Sequence, residues 1–240
     1  MFHKVTVTWN PVTGCMHNCR YCWARKLVES RLRKITRKYK LGFLPHIHYY
    51  EFKRKFKPNA LVFVSDMGDL FGYFIPKEWI LRVIAHIKQF PRTTFLFLTK
   101  NPHRYLEFLD LFPENVILGA TIETTDDKLY WKHDISFAPL PSERYKAMKE
   151  INGFRKMISI EPVLDFDPYV FDDWIRDIEP EFIYIGYDNY CNGLPEPPVM
   201  KVFELIDLVK YHTRVYTKTL TPCSYRKNKG AIPVAAFSPN

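Results

Sequence analysis

No stretch of these 240 residues stays apolar long enough to cross a bilayer, which takes about 20 consecutive apolar residues as a helix. The opening MFHKVTVTW carries no secretory leader pattern, so the expected compartment is the cytoplasm, where thiols stay reduced. Cysteine is scarce: there are five, an odd number that argues against a disulfide framework. Cys191 and Cys223, single and far apart, read as ordinary residues. There is no internal repeat and no sign of a second domain. With 47% hydrophobic residues, the chain can bury a sizeable core, most simply as one domain over 1–240.

Acidic residues are missing from two places. Arg20 to Lys57 holds thirteen Lys or Arg against only Glu29 and Glu51, so this segment carries +11 and the rest of the chain −2. After Asp207 there is no acid at all, while Lys210, Arg214, Lys218, Arg226, Lys227 and Lys229 follow. The basic run is interleaved with Tyr39, Phe43, His46, His48, Tyr49, Tyr50, Phe52 and Phe56. Such a mixture suits a surface that tracks phosphates and stacks bases, so DNA or RNA is the expected partner. The competing reading is a solvated helix face next to a connector. The insertion at about 41–59 and the tail at about 219–240 are the two basic irregular segments.

Against that background stands TWNPVTGCMHNCRYCWARK, with Cys15, Cys19 and Cys22 spaced C-x3-C-x2-C after a short strand. A fourth thiolate is missing nearby. Clusters that only carry electrons are usually held by four cysteines, so three suit an iron–sulfur cluster with one iron open to another ligand. A zinc knuckle completed by His17 or His3 is the alternative, but structural zinc usually shows two ligand pairs.

Short apolar runs alternate with helical periodicity. Strands are expected at Val5–Trp9, Leu61–Val64, Phe95–Leu98, Val116–Ile122, Met157–Ile160, Phe182–Ile185 and Arg214–Tyr216. Helices are expected from Trp23 to about Lys40, after Pro76, at 102–111, at 142–151, after Asp167-Pro168 and at 199–211. Near-continuous apolar strands joined by helices indicate an α/β fold with a parallel sheet, an open, partial TIM-like barrel of six or seven strands.

The cysteine motif, with Tyr21 before its third cysteine, resembles the radical S-adenosylmethionine (radical SAM) superfamily. Together with FLFLTKNP, GATIETTDD, SIEPVLDFD and a late lysine, it resembles a radical SAM family found in prokaryotes and phages. It is more distantly similar to spore photoproduct lyase and its relatives. The resemblance runs from Thr8 to about Lys218 and implies a partial (βα)6-type barrel. It also implies a [4Fe-4S] cluster on Cys15, Cys19 and Cys22, S-adenosylmethionine (SAM) on the open iron, Tyr21 near the adenine, and an external electron donor. Trp23 stands where such families often have Tyr, and the usual Gly-Gly-Glu-like turn is absent.

Ligands of βα folds sit at the carboxyl ends of strands. Those ends offer Ser65, Asp66, Glu123, Ser159 and Glu161 as candidates for SAM, with Ser159 and Glu161 on one side of their strand. Lys100, Lys218 and Cys191 are the candidates for the reaction itself, and Asp188 and Asn189 read as a turn. The expected activity is therefore SAM cleavage to a 5′-deoxyadenosyl radical acting on a nucleic acid, in base modification or lesion repair. A peptide or small-molecule substrate, or a nucleic-acid-binding protein with a structural metal, are the alternatives.

Overall fold

A computed structural model describes residues 5–227; His3 and the tail beyond Lys227 lie outside the described residues. Seven strands form one parallel sheet: β1 (Val7–Trp9), then β4 (Leu61–Val64), β5 (Thr94–Thr99), β6 (Val116–Thr121), β7 (Arg155–Ile160), β8 (Phe182–Ile185) and β9 (Arg214–Thr217), in that spatial order. Two short strands that fall between β1 and β4 in the chain, β2 (Val12–Thr13) and β3 (His46–Ile47), pair antiparallel beside the sheet. With β1 and β9 as its edges among the described residues, the sheet is an open, partial TIM-like barrel.

Alternation along each strand divides the core in two. One face carries Val62, Val64, Phe95, Phe97, Leu118, Ile158 and Ile183, packed beneath the helices. The other, concave face carries Leu96, Ile117, Met157, Phe182 and Tyr184. Continuing the same side of the strands toward their carboxyl ends gives Ser65, Lys100, Thr121, Ser159, Glu161 and Lys218. The barrel is thus plugged with apolar side chains at one end and polar at the other. Gly119 makes room for that plug: a Cβ there would meet Met157 Sδ at 2.5 Å and the Phe97 carbonyl at 2.8 Å.

The helices on the outside are α3 (Lys77–Ile87), α5 (Pro141–Glu150), α6 (Pro168–Ile178) and α7 (Val199–Val209). Asp167 caps α6 as expected, accepting from the Tyr169 and Val170 amides at 2.9 and 3.1 Å. Three short helices, α1 (Trp23–Leu27), α4 (Asp127–Lys132) and α8 (Cys223–Lys227), sit at the polar end together with α2 (Arg33–Ile35).

Two expectations are corrected. The single helix from Trp23 to Lys40 is broken: α1 runs into a π turn at Val28–Leu32, then α2, then a 3-10 turn at Arg37–Tyr39. A π turn inserts an extra residue per turn and rotates the helix beyond it. Val28 and Tyr39 therefore stay buried while Ile35, seven residues on from Val28 and so on the same face of an unbroken helix, points to solvent. The 102–111 segment is likewise wound as a 3-10 helix, Pro102–Leu111.

The second correction concerns the insertion at 41–59, whose aromatic side chains, expected to stack on bases, instead pack largely onto the core. Phe43, Ile47 and Phe56 are buried, and Trp9 contacts the rings of Phe52 and Phe56 edge-on. Those aromatics hold the core and are closed to stacking on bases; Tyr49 and Tyr50 remain exposed.

Gly119→Val should lower stability by about 1–3 kcal/mol through overpacking against Met157 and the Phe97 carbonyl. A denaturation midpoint unchanged from wild type would contradict the plugged-barrel packing.

Candidate active site

The cysteine loop is fixed from both sides. Gly14, at φ +87, donates to the Met67 carbonyl at 2.9 Å and bridges to Gly68, where a side chain would collide with the Gly14 backbone. On the far side the His17 carbonyl accepts from the Phe137 amide at 2.7 Å and from Ser136 Oγ at 3.0 Å. The Arg20 amide reaches the Ile135 carbonyl at 2.9 Å. Cys15, Cys19 and Cys22 are free thiols, and all three line one cavity of about 510 Å³ at the polar end of the barrel.

Backbone donors are aimed at the thiols. The His17 amide lies 3.4 Å from Cys15 Sγ, and the Arg25 amide 3.3 Å from Cys22 Sγ at the start of α1. Cys19 Sγ is 3.2 Å from Ser136 Oγ. Burial pushes the Cys15 thiol well up, reinforced by Asp69 and the neighbouring cysteines, and burial raises Cys22 too. Such thiols become stable thiolates only beside added positive charge, which an iron cluster supplies. Among the described residues no three His, Cys, Asp or Glu side chains are gathered closely enough for a single metal ion. A cubane differs in its demand, taking one thiolate at each of three separate irons.

The rest of the wall comes from the strand ends. Ser65 sits at φ +57 after β4, and its buried hydroxyl has no hydrogen-bond partner among the described residues. Asp66 is held by Asn10, whose Nδ2 donates at 2.6 Å while its Oδ1 accepts from the Met67 amide at 3.0 Å. Burial raises the Asp66 carboxyl. Ser159 lines the cavity from β7. Glu161 accepts from Lys218 Nζ at 2.5 Å and from Asn189 Nδ2 at 3.3 Å across the far wall. Asp188 is a turn former, accepting from the Tyr190 amide at 3.0 Å, while Asn189 beside it also faces the cavity.

Glu123 is not on the wall. It is fully buried outside the cavity lining, and both its oxygens are committed. Oε2 accepts from Arg144 Nη1 and from the Tyr130 hydroxyl, each at 2.7 Å. Oε1 accepts from Lys100 Nζ and the Tyr21 hydroxyl. Burial alone would raise this carboxyl, but Arg144 and Lys100 beside it bring it down to about 2. The expected SAM ligand is instead a clamp: it fastens Lys100 and Tyr21, which do line the cavity, with the ammonium 5.0 Å from the Tyr21 ring centre.

A second buried carboxylate, Asp69, is an unexpected feature. It accepts from His17 Nε2 at 3.0 Å, the Lys100 amide at 2.9 Å, Thr99 Oγ1 at 2.6 Å and the Phe71 amide at 3.0 Å. The histidine weighed as a zinc ligand is therefore committed through Nε2 to fixing the loop. Cys191 is also corrected: it is disulfide-bonded to Cys223, pinning the segment after β8 to α8, and it does not line the cavity.

A family described as "Protein of unknown function (DUF5131)" matches residues 3–175. The chain belongs to this family. No curated protein matches the sequence. Among solved structures, a spore photoproduct lyase mutant with bound AdoMet and dinucleoside spore photoproduct is similar over 85% of this chain and 61% of its own, at 11% identity and TM-score 0.58. Another spore photoproduct lyase mutant gives TM-score 0.62 at 10% identity, covering 88% of this chain and 76% of that one. SuiB of Streptococcus suis bound to precursor peptide SuiA gives 0.56 at 12% identity, over 88% of this chain and 48% of that one. The chain thus spans about three fifths of the first lyase's length and half of SuiB's. What is shared is the fold, which agrees with the partial barrel expected of this DUF5131 member.

The structure brings Cys15, Cys19, Cys22, Tyr21, Ser65, Asp66, Lys100, Ser159, Glu161 and Lys218 together on one cavity and leaves Glu123 and Cys191 outside it. Asp69 and Thr99 stand at strand ends and could have been found by the same rule that found Ser65. Arg144, inside α5, gave no signal in sequence.

Glu123→Gln should cost about 3–5 kcal/mol at pH 7, because Arg144 is left buried without its counter-charge. Because the folded carboxyl is depressed, its stabilisation is complete above the ordinary 4.5 and disappears as pH falls toward about 2. The gap between variant and wild type, read from urea midpoints, should close over that window. A gap constant down to pH 2 would contradict the clamp.

Proposed function

We propose that this protein is a radical SAM enzyme acting on a nucleic acid. The observation that carries the reading is the convergence of three free thiols, in C-x3-C-x2-C spacing, on one cavity at the carboxyl end of a partial barrel. Cys15, Cys19 and Cys22 would hold a [4Fe-4S] cluster, with the His17 and Arg25 amides directed at the Sγ atoms of Cys15 and Cys22. When bound and reduced, such a cluster supplies the electron that cleaves SAM to methionine and a 5′-deoxyadenosyl radical.

The chain's own residues then have defined tasks. Ser65 Oγ, without a partner among the described residues, offers a hydrogen bond to the polar part of SAM, and Asp66, held by Asn10, offers a carboxylate to its ammonium. The Tyr21 ring, locked by Glu123, gives a flat surface for adenine, with Ser159 at the cavity wall. Lys218 and Glu161, paired on the far wall, leave polar groups for the substrate. Buried Leu96, Ile117 and Met157 close the bottom of the barrel and keep water from the radical.

The nucleic acid assignment rests on charge. Arg31, Arg33, Lys34, Arg37 and Lys40 are all exposed in the segment that follows the cysteine loop, which gives phosphates a basic surface there. The similar lyase was solved with a dinucleoside photoproduct, whereas SuiB was solved with a peptide; the basic face favours the former class for this chain.

Anaerobic reconstitution should give a brown protein with iron and sulfide, and Cys19→Ala should not load iron. Dithionite and SAM should then yield 5′-deoxyadenosine from the wild type. A colourless zinc protein, or a loaded protein that binds SAM without cleaving it, would overturn the enzyme reading. Affinity for oligonucleotides should fall steeply with salt, by roughly 10³-fold or more between 50 and 200 mM if six or more phosphates are contacted. A flat salt response would remove nucleic acid as the substrate class.

A further inference from the structure

The loop that contributes Phe43 to the cavity wall carries a feature that cofactor binding does not use. The loop from Leu41 to Leu44 exposes two aliphatic side chains, Leu41 at 58% and Leu44 at 63%. Between them Phe43 is buried and forms part of the cavity wall. Single exposed leucines are ordinary on protein surfaces. Here, however, the loop is held so that they stay outside.

Three hydrogen bonds fix it. The Gly42 amide reaches the Tyr39 carbonyl at 2.9 Å, the Phe43 amide reaches Glu29 Oε1 at 3.0 Å, and the Phe43 carbonyl accepts from the Cys15 amide at 3.1 Å. Gly42, at φ +71, lies so close to Glu29 that a Cβ would meet its carboxylate at 2.7 Å. The loop is therefore coupled directly to the backbone of the first cysteine. Its electrostatic setting is basic: Arg37 and Lys40 are exposed just before it, and the Arg25 guanidinium lies 5.5 Å from the centre of the Phe43 ring.

We infer that the Leu41–Leu44 loop is a wedge that opens a nucleic acid duplex and delivers an extruded base to the cavity. Apolar side chains inserted between base steps unstack them, and flanking cations hold the phosphates in place. A base inside a duplex cannot reach a reactive centre at the bottom of an enclosed site, so it must swing out. The base would enter the cavity of about 510 Å³ along the wall formed by Glu161, Asn189 and Lys218, while Tyr21 stays against the adenine of SAM. The inference rests on the nucleic acid reading above and adds that the substrate is double-stranded, opened at this loop.

The test uses the reconstituted full-length protein with oligonucleotides carrying 2-aminopurine, as duplex DNA, duplex RNA and the matching single strands. Wild type should raise the fluorescence of one duplex on binding. Leu41→Ser/Leu44→Ser should abolish that rise and weaken duplex affinity about tenfold, while single-strand affinity changes less than about twofold. Iron loading and 5′-deoxyadenosine formation without substrate should match wild type, which shows that the double variant is folded. An undiminished rise in the double variant, or duplex binding by wild type with no rise, would overturn the wedge while leaving the nucleic acid reading intact. Binding to phosphatidylserine vesicles that the double variant loses, with no duplex opening, would instead make this loop a membrane contact. Absence of any salt-sensitive oligonucleotide binding would remove the nucleic acid reading and the wedge together.

Discussion

The cysteine loop and the barrel are joined through buried carboxylates. Glu123 gathers Arg144, Lys100, Tyr130 and Tyr21, while Asp69 gathers His17, Thr99 and the Lys100 amide. Each buried negative charge would be prohibitive alone and is tolerable because cations and donors surround it. The consequence is geometric: Tyr21 and His17, both within the C-x3-C-x2-C segment, are each tied to a strand end. A loop with little regular structure thereby acquires the rigidity that positioning three thiols demands.

The same constraint explains how the cavity differs from its surroundings. Beneath it the concave face is filled by Leu96, Ile117, Met157 and Tyr184, so polar groups concentrate at the open end. There the fixed side chains are already paired, as Lys218 is with Glu161 and Asn10 with Asp66. Ser65 differs: it is strained, and its buried hydroxyl has no partner among the described residues. The aromatic insertion also serves this end: Phe52 and Phe56 pack on Trp9 and anchor β1, while Phe43 closes the wall beside Cys15.

Much of this was legible in the chain. The parallel sheet follows from apolar runs such as Phe95–Leu98, and the strand-end rule located Ser65, Lys100, Ser159, Glu161 and Lys218 on the cavity. Periodicity failed at Ile35 because a π turn, which no side-chain pattern announces, rotates the helix. It failed at Glu123 because a side chain at a strand end can turn inward when a buried arginine awaits it, and Arg144 lies in an ordinary-looking helix. Cys191 and Cys223 read as unrelated because their proximity depends on how the segment after β8 folds back against α8. Local pattern thus predicts which residues reach the site's layer, and long-range charge pairing decides which of them face the ligand.

The central claim is that three thiolates leave one iron of a bound cluster open to SAM. The electron paramagnetic resonance spectrum of the reduced, reconstituted protein, recorded before and after adding SAM, tests it directly. The account predicts a cluster signal whose g values shift on addition. A spectrum indifferent to saturating SAM would mean that every iron is already fully ligated, and would contradict it.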